Sequence, residues 1–478
     1  MNRTFVILAI LASMTSGLVG SSAARQINFA PAKTFSAGMT QPANIAVADL
    51  NGDGKPDLVV ANHNGQLAIF IAKSNGTFLP PTIVTLDFYV TGSIAIGDFN
   101  GDKKPDIVAV GGGHVNGIGL ALLTGNGDGT YNPPQYFPTT LTGASISLVV
   151  GDFNKDGNLD IYVGGNGSSE LILGDGKGNF HDTPLQNASG FSVAVGDFNG
   201  DGNLDAASSE PYGESPDAAS SALAVLLGNG NGTFQYPQTY LGLSRPQGVL
   251  GVAVADLNHD GKSDVIATDY AGGGVLVFLG KGDGTFSGPT DWGAGNQPGT
   301  VTVADFNGDG NLDLAVSDFG GGGVTALPGN GDGTFVPPYP PSDFPTGKNP
   351  TGIVVADFNH DGSPDIAVAN YGDGTITILL NAAGTLVRIH GSSNPSTSGQ
   401  PVTFTATVRH SIAHTPVPSG VVTFTDGSAI LGQAQLSNGV ASLTTSMLAK
   451  SRHKISAIYE GDDTFNPSQS AMLVENVK

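Results

Sequence analysis

The chain has no cysteine in its 478 residues. That excludes disulfides, thiolate zinc sites and thiol catalysis. It is also poor in positive charge: 19 Lys and Arg stand against 41 Asp and Glu, a formal net charge of −22. Nucleic-acid binding needs a basic face, so DNA and RNA are poor partners and none is expected. Tryptophan occurs once, as Trp292. After the N-terminus no apolar run approaches the ~20 residues of a membrane-spanning helix. What the chain has in excess is glycine, 71 residues, with 29 prolines. No G-X-Y period is present, so collagen is excluded. With 39% hydrophobic and 13% charged residues, the chain is not a charged disordered one. This punctuation suits many short strands and tight turns.

The N-terminus predicts a signal peptide over residues 1–24. Arg3 supplies the positive end, Phe5 to Ala12 the apolar core, and Ser21-Ser22-Ala23-Ala24 the small-residue cleavage site. The expected location is therefore secreted, extracellular or periplasmic, with no transmembrane segment after cleavage.

A repeat organises most of the remaining chain. The pattern D-x-N-x-D-x-x-x-D starts at Asp49, Asp98, Asp152, Asp197, Asp256, Asp305 and Asp357, at intervals of 49, 54, 45, 59, 49 and 52 residues. A second signal lies about 30 residues into each repeat, as in Gly127-Asp128-Gly129-Thr130-Tyr131 and Gly333-Thr334-Phe335. Each period holds four short strand signals. The second, such as Asp106 to Val110, is continuously apolar after its aspartate, as a strand covered on both faces should be. Four strands per ~50 residues, seven times over, is the arithmetic of a β-propeller; an open solenoid has shorter periods and capped ends. The last repeat lacks a fourth strand of its own. Residues 26–36, which resemble the fourth-strand segments, are expected to supply it and remove the open edge. The propeller is thus expected over residues 25–385. After Leu386 the composition shifts to Ser, Thr and Val, and Val402 to Val408 alternates strictly. Residues 386–478 are therefore expected to form a β-sandwich. The expected fold class is all-β: a seven-bladed propeller and then a β-sandwich.

The acidic loops carry the chemistry. In a nine-residue loop, side chains at positions 1, 3, 5 and 9 can converge. They are Asp49, Asn51, Asp53 and Asp57; Asp98, Asn100, Asp102 and Asp106; Asp152, Asn154, Asp156 and Asp160; Asp197, Asn199, Asp201 and Asp205; Asp256, Asn258, Asp260 and Asp264; Asp305, Asn307, Asp309 and Asp313; and Asp357, Asn359, Asp361 and Asp365. All are hard oxygen donors suited to calcium. Three carboxylates a few ångströms apart repel unless a cation neutralises them. Seven calcium ions would bring the net charge of −22 to about −8. Metal-free Asx turns are the alternative. Glycine at position 6 permits a sharp turn, and Lys103 replaces it in the second loop. That loop is expected to be the weakest of up to seven calcium sites. The phenylalanines at position 2 and after the Gly-rich turns read as packing anchors.

The signature Val-Ala-Asp-Phe-Asn-Gly-Asp-Gly-x-x-Asp resembles FG-GAP (VCBS-type) repeats, the calcium-binding blades of integrin α-subunit propellers. The resemblance covers about residues 26–385. It implies a seven-bladed propeller with calcium between the first two strands of each blade. Residues 386–478 resemble bacterial Ig-like domains, on segments such as Leu436-Ser437-Asn438-Gly439-Val440-Ala441.

Strand alternation puts the acidic loops and Gly-rich turns at one face. A carbohydrate or protein ligand is expected at the other. There Gln41, Arg245, Gln297 and Asn349 precede the innermost strands. They ring the channel mouth or are solvated loop residues. Tyr270, Phe319 and Tyr371 stand beside Asp269, Asp318 and Asn370, a long loop covers 208–217, and Trp292 lies on a connection. Contact and blade-capping roles both remain open for these. Three functional classes are compatible with these features: a secreted binding or adhesion module, a structural component of an extracellular assembly, and a calcium-dependent polysaccharide-degrading enzyme. No G-x-S-x-G or H-E-x-x-H motif supports the last, and a non-enzymatic role is expected.

Overall fold

A strand buried on both faces must lie inside a stack of sheets, and the second strand of each repeat does so. The computed structural model describes residues 27–478 except 74–75, 91–92, 115–116, 141–144, 166–168, 186–189, 191, 210–220, 242–248, 338–342, 382–384, 411–416, 428, 463–464, 466–467 and 471. The expected signal peptide at 1–24, Arg245 and most of the 208–217 loop lie outside the described residues. Among the described residues there is no helix, hence none able to cross a membrane.

Seven four-stranded antiparallel sheets succeed one another along the chain. The first comprises Pro42–Ala48, Asp57–Asn62, Gln66–Phe70 and Thr82–Thr85, innermost strand first. Asp57–Asn62 is buried at every position. Leu58, Val59 and Val60 are buried completely, and each such side chain contributes about 1.5–3 kcal/mol relative to exposure. The innermost strands pack in succession: Pro42–Ala48, Ile94–Gly97, Ser145–Gly151, Val193–Gly196, Val249–Ala255, Pro298–Ala304 and Pro350–Ala356, with the last packing back on the first. Hydroxyls stitch the later blades at the starts of these strands. Thr268 Oγ1 donates to Gly299 O at 2.8 Å, and Thr300 Oγ1 to Thr351 O at 2.5 Å. Thr351 Oγ1 reaches Pro42 O at 3.4 Å.

The last sheet takes its outer strand from the N-terminus. Lys33–Ser36 pairs antiparallel with Thr375–Leu379, Lys33 opposite Ile378 and Ser36 opposite Thr375. Just before it, Ala30 N donates to Leu380 O at 2.8 Å.

The chain divides into two compact units. One holds Ala32–Phe358 and Asp365–Ile378; the other holds Leu379–Lys478 with the short segments 26–31 and Asn359–Pro364. In the second unit, Thr385–Gly391, Val402–His410 and Val440–Thr445 form one sheet. Val421–Asp426, Ala429–Gln435, Arg452–Tyr459, Ser468–Gln469 and Leu473–Asn476 form the other. Val402, Phe404, Ala406 and Val408 point into the core with Phe424, Ile455 and Tyr459, while the intervening threonines stay outside it. That is the alternation of a half-buried strand.

Candidate functional site

Each acidic loop is wound by two left-handed residues. Position 6 is left-handed throughout: six glycines, and Lys103 at φ 67°. Position 4 is left-handed too, although it is Gly52, Gly101, Gly200 and Gly308 in four loops and Lys155, His259 and His360 in the others. An L-residue at such a φ costs about 1–2 kcal/mol, and the loop offsets it with hydrogen bonds to the position-1 carboxylate. In the first loop Asp49 Oδ1 accepts from Gly52 N at 2.8 Å and Asp53 N at 3.1 Å, and its Oδ2 from Gly54 N at 2.8 Å. Asn51 Oδ1 accepts from Asp53 N at 2.9 Å, and Asp53 Oδ1 from Lys55 N at 3.0 Å.

Position 9 behaves differently. Asp57, Asp106, Asp160, Asp205, Asp264, Asp313 and Asp365 have no exposed surface. Each opens the second strand, and the first six tie the loop to the Gly-rich turn of the same repeat. Asp264 Oδ2 accepts from Leu257 N at 2.9 Å, and its Oδ1 from Gly280 N at 2.8 Å. Gly280 begins the Gly-rich turn, and a Cβ there would lie 2.2 Å from Ser263 O. The same close approach recurs at Gly125, Gly174, Gly228 and Gly329, with Ala72 taking the equivalent hydrogen bond in the first repeat. Burial, opposed by the two N–H donors and reinforced by the carboxylates at positions 5 and 1, pushes Asp106, Asp160 and Asp264 up to about 6. In the sixth loop burial is deeper, and with the neighbouring Asp305 and Asp309 it takes Asp313 up to about 8.

The Gly-rich turns also join neighbouring repeats. Gly129 N donates to Leu50 O at 3.2 Å, Gly178 N to Phe99 O at 2.9 Å and Gly284 N to Phe198 O at 2.9 Å. Gly76 N to Phe358 O, 2.9 Å, closes the series between first and last repeats. The position-2 aromatics meet the turn aromatics edge-on at the same seams: Phe99 with Phe180 at 5.9 Å, Phe198 with Phe286 at 5.4 Å and Phe358 with Phe78 at 6.2 Å. The expected packing role of these phenylalanines is what the structure shows. The seam hydrogen bonds have only one signal in the sequence, the fixed distance between loop and turn.

The donor set of each loop fits a hard cation. It consists of carboxylate and amide oxygens only, and the position-1 and position-5 carboxylates lie near enough to raise the proton affinity of the one at position 9. A carboxylate has about four lone-pair sites. Asp49 uses three on its own loop, which leaves acceptor capacity for an ion. As the loops stand, the carboxylates are held by N–H groups. No group of three or more His, Cys, Asp or Glu among the described residues is gathered on a common centre.

The opposite face resolves several open roles. Asp318 is a buried cap of its second-to-third-strand turn, and buried Asn370 braces the connection that precedes its own sheet. Asp318 Oδ1 accepts from Gly321 N at 2.6 Å and Asn296 N at 3.0 Å; Asn370 Oδ1 accepts from Gly347 N at 3.0 Å. Asp269, also buried, accepts from Gly272 N at 2.7 Å. Tyr270, Phe319 and Tyr371 are half-buried beside them. Gln41, Gln297 and Asn349 adopt φ of 53°, 59° and 52°, so they are turn formers. Asn349 Nδ2 donates to Phe319 O at 3.0 Å. Trp292 lies not on a connection but in the strand Phe286–Gly293, half-buried, edge-on to buried Phe335 at 5.9 Å.

One constellation resembles a nucleophilic triad: His453 lies 3.0 Å from Ser451 Oγ and 2.6 Å from Asp426 Oδ2. However, the Ala449 carbonyl also faces His453 Nε2, at 2.7 Å. Both ring nitrogens thus meet pure acceptors, so both carry protons and neither offers a lone pair to a serine. The Ala449 carbonyl, against burial and with Asp426, holds the imidazole above its ordinary value.

The fold and loops define a repeat propeller with acidic inter-strand loops, joined to an Ig-like sandwich. The chain belongs to the FG-GAP-like repeat family, whose model matches residues 49–109, 98–163, 152–208, 217–267, 256–316 and 308–368. Residues 389–478 match the bacterial Ig-like domain (group 3). No curated protein matches the chain. Among solved structures, BBS1N in complex with ARL6DN, soaked with mercury, is 14% identical over 74% of this chain and 97% of that one, at a TM-score of 0.50. The lead-soaked form of that complex is 12% identical, covering 74% and 96%, at 0.49. An Agrocybe aegerita lectin, described as specifically recognising non-reducing terminal N-acetylglucosamine, is 21% identical, covering 70% and 86%, at 0.45. At these identities the likeness concerns the fold alone.

Proposed function

We propose that this protein is a secreted calcium-binding propeller, acting as a binding or adhesion module at the cell surface or outside the cell. Its ligand, a carbohydrate or a protein, would meet the face opposite the acidic loops. The observation that carries the reading is the division of labour between the two ends of each sheet. At one end the same oxygen-only loop recurs, anchored on a fully buried aspartate. At the other the loops vary in length and carry half-buried Tyr270, Phe319 and Tyr371. Uniform geometry suits a repeated structural ion, and variable loops on a rigid scaffold suit recognition.

A bound calcium would supply charge neutralisation. Positions 1, 3 and 5 would hold it at the loop surface, while position 9 locks the loop to its own hairpin. The signal-peptide pattern supports an extracellular setting, where loops with affinities near ~0.1–1 mM would fill.

The test is a glycan array probed with the protein in millimolar calcium and again in chelator, then pull-down from the native cell surface. Saturable binding that requires calcium supports the reading. A blank array and an empty pull-down would sink it in favour of a scaffold role. Depolymerisation of a bound polysaccharide would replace it with a degrading enzyme.

A further inference from the structure

The seven loops share one backbone but not one charge environment. In all of them the position-7 N–H caps position-5 Oδ1, at 3.0 Å from Lys55 to Asp53 and 2.8 Å from Asn158 to Asp156, for example. The loops differ at the other oxygen, Oδ2. In the first, second and fifth loops position 7 is lysine, and its ammonium turns back onto that oxygen. Lys55 Nζ lies 2.7 Å from Asp53, Lys104 Nζ 3.8 Å from Asp102 and Lys262 Nζ 3.5 Å from Asp260. In the third, fourth and seventh loops a neutral amide faces it instead. Asn154, Asn199 and Asn359 each donate Nδ2 to Asp156, Asp201 and Asp361 at 3.0 Å. The sixth loop has Asn311 at position 7, and Asn307 Nδ2 turns to Asp313 at 3.3 Å.

We propose that the position-7 lysines are built-in counter-ions that divide the loops into two classes of cation site. On this proposal the third, fourth, sixth and seventh loops fill first, and the Lys55, Lys104 and Lys262 loops fill only at higher calcium. The inference rests on the calcium reading above and refines it. An ion entering a lysine loop must displace an ammonium from a ligand oxygen and then sit beside it. For a half-exposed pair both effects are modest, and together they weaken binding by about three- to ten-fold. In the fourth loop Lys155, reaching over from the third, adds a weaker positive influence at Asp201. That loop therefore fills last of the tighter class. The second loop belongs to the weak class for its lysine at position 7, besides its turn residue Lys103.

The test is calcium titration of the chelator-stripped full chain by calorimetry, with bound ions counted by native mass spectrometry. It is repeated on K55N/K104N/K262N and on K262N alone. Asparagine already occupies position 7 in three loops, as Asn158, Asn203 and Asn311, so the variants use a residue the loop accepts. The expected wild-type isotherm has two phases, about four ions tighter and about three weaker, given the seven loops in the sequence. The triple variant should merge them into one, and K262N should move a single ion between phases. One phase in the wild type, or a weak phase untouched by the triple variant, overturns the two classes while leaving calcium binding intact. No heat and no bound ions overturn both.

Discussion

Two aspartates of one loop have opposite roles. Asp264 is buried and accepts two backbone N–H groups that belong to different turns. Asp264→Asn would turn one acceptor into a donor facing an N–H group. Urea unfolding in chelator should show a loss of about 3 kcal/mol. The Asp260 side chain, at the loop surface, accepts from Lys262 N and pairs with the Lys262 ammonium. Asp260→Asn should lie within about 0.5 kcal/mol of wild type in chelator, and differ from it only when calcium is added. The second unit has its own titrating residue. His453 is raised above its ordinary 6.5 by the Ala449 carbonyl and Asp426, and Glu475 sits opposite it across the strand pair. A raised folded-state value means the stabilisation is complete below pH 6.5 and is lost as pH climbs through the folded value. The calorimetric transition of the second unit should show that decline from about pH 5 to 9 in the wild type and a shallower one in His453→Gln, while the first unit keeps the separate pH dependence of its raised aspartates in both. The position-6 turn is legible from its glycines. The position-4 turn is not, because Lys155, His259 and His360 mask a conformation visible only in φ.

At the scale of the strand, the N-terminal segment decides whether the last sheet is finished. Lys33–Ser36 covers Thr375–Leu379, and Phe35 packs edge-on to Phe78 of the first repeat at 5.7 Å. A chain lacking residues 25–36 should melt far below the wild type, because it leaves an unpaired edge and a bare seam between first and last sheets. An unchanged melting temperature would contradict the splice. This pairing is legible because Phe29 to Phe35 repeats the pattern of other fourth strands. The roles of Asp269, Asp318, Asn370 and Trp292 are not. A polar residue beside an aromatic reads the same whether it faces solvent or turns back onto a hairpin, and side-chain direction is set by the packed sheet.

For the whole molecule, the seams between repeats make the acidic face one connected structure. Among the described residues five loops present a carbonyl acceptor to the next repeat's turn, from Leu50, Phe99, Phe153, Phe198 and Phe358, and buried aspartates such as Asp264 clamp each loop to its own turn. Calcium bound only by the folded state would therefore stabilise the ring as a unit. At an ion concentration about ten times the dissociation constant each site adds roughly 1.4 kcal/mol. The first thermal transition should rise with calcium from micromolar to millimolar, and magnesium should substitute poorly because it demands tighter octahedral geometry. Identical melting in chelator and in calcium would rule out the metal reading.

The sequence alone determined the repeat, its strand period, the alternation of the C-terminal domain and the oxygen-only chemistry of the loops. All of these are encoded by spacing within a few residues or by recurrence along the chain. Only the tertiary structure decided which aspartate of each loop is a buried clamp, which carboxylates already carry an ammonium, and which polar residues of the opposite face are caps. Those roles depend on contacts with hairpins a dozen or more residues away and with neighbouring repeats. Burial and charge are properties of the packed neighbourhood, and the motif is the same in every copy whatever surrounds it.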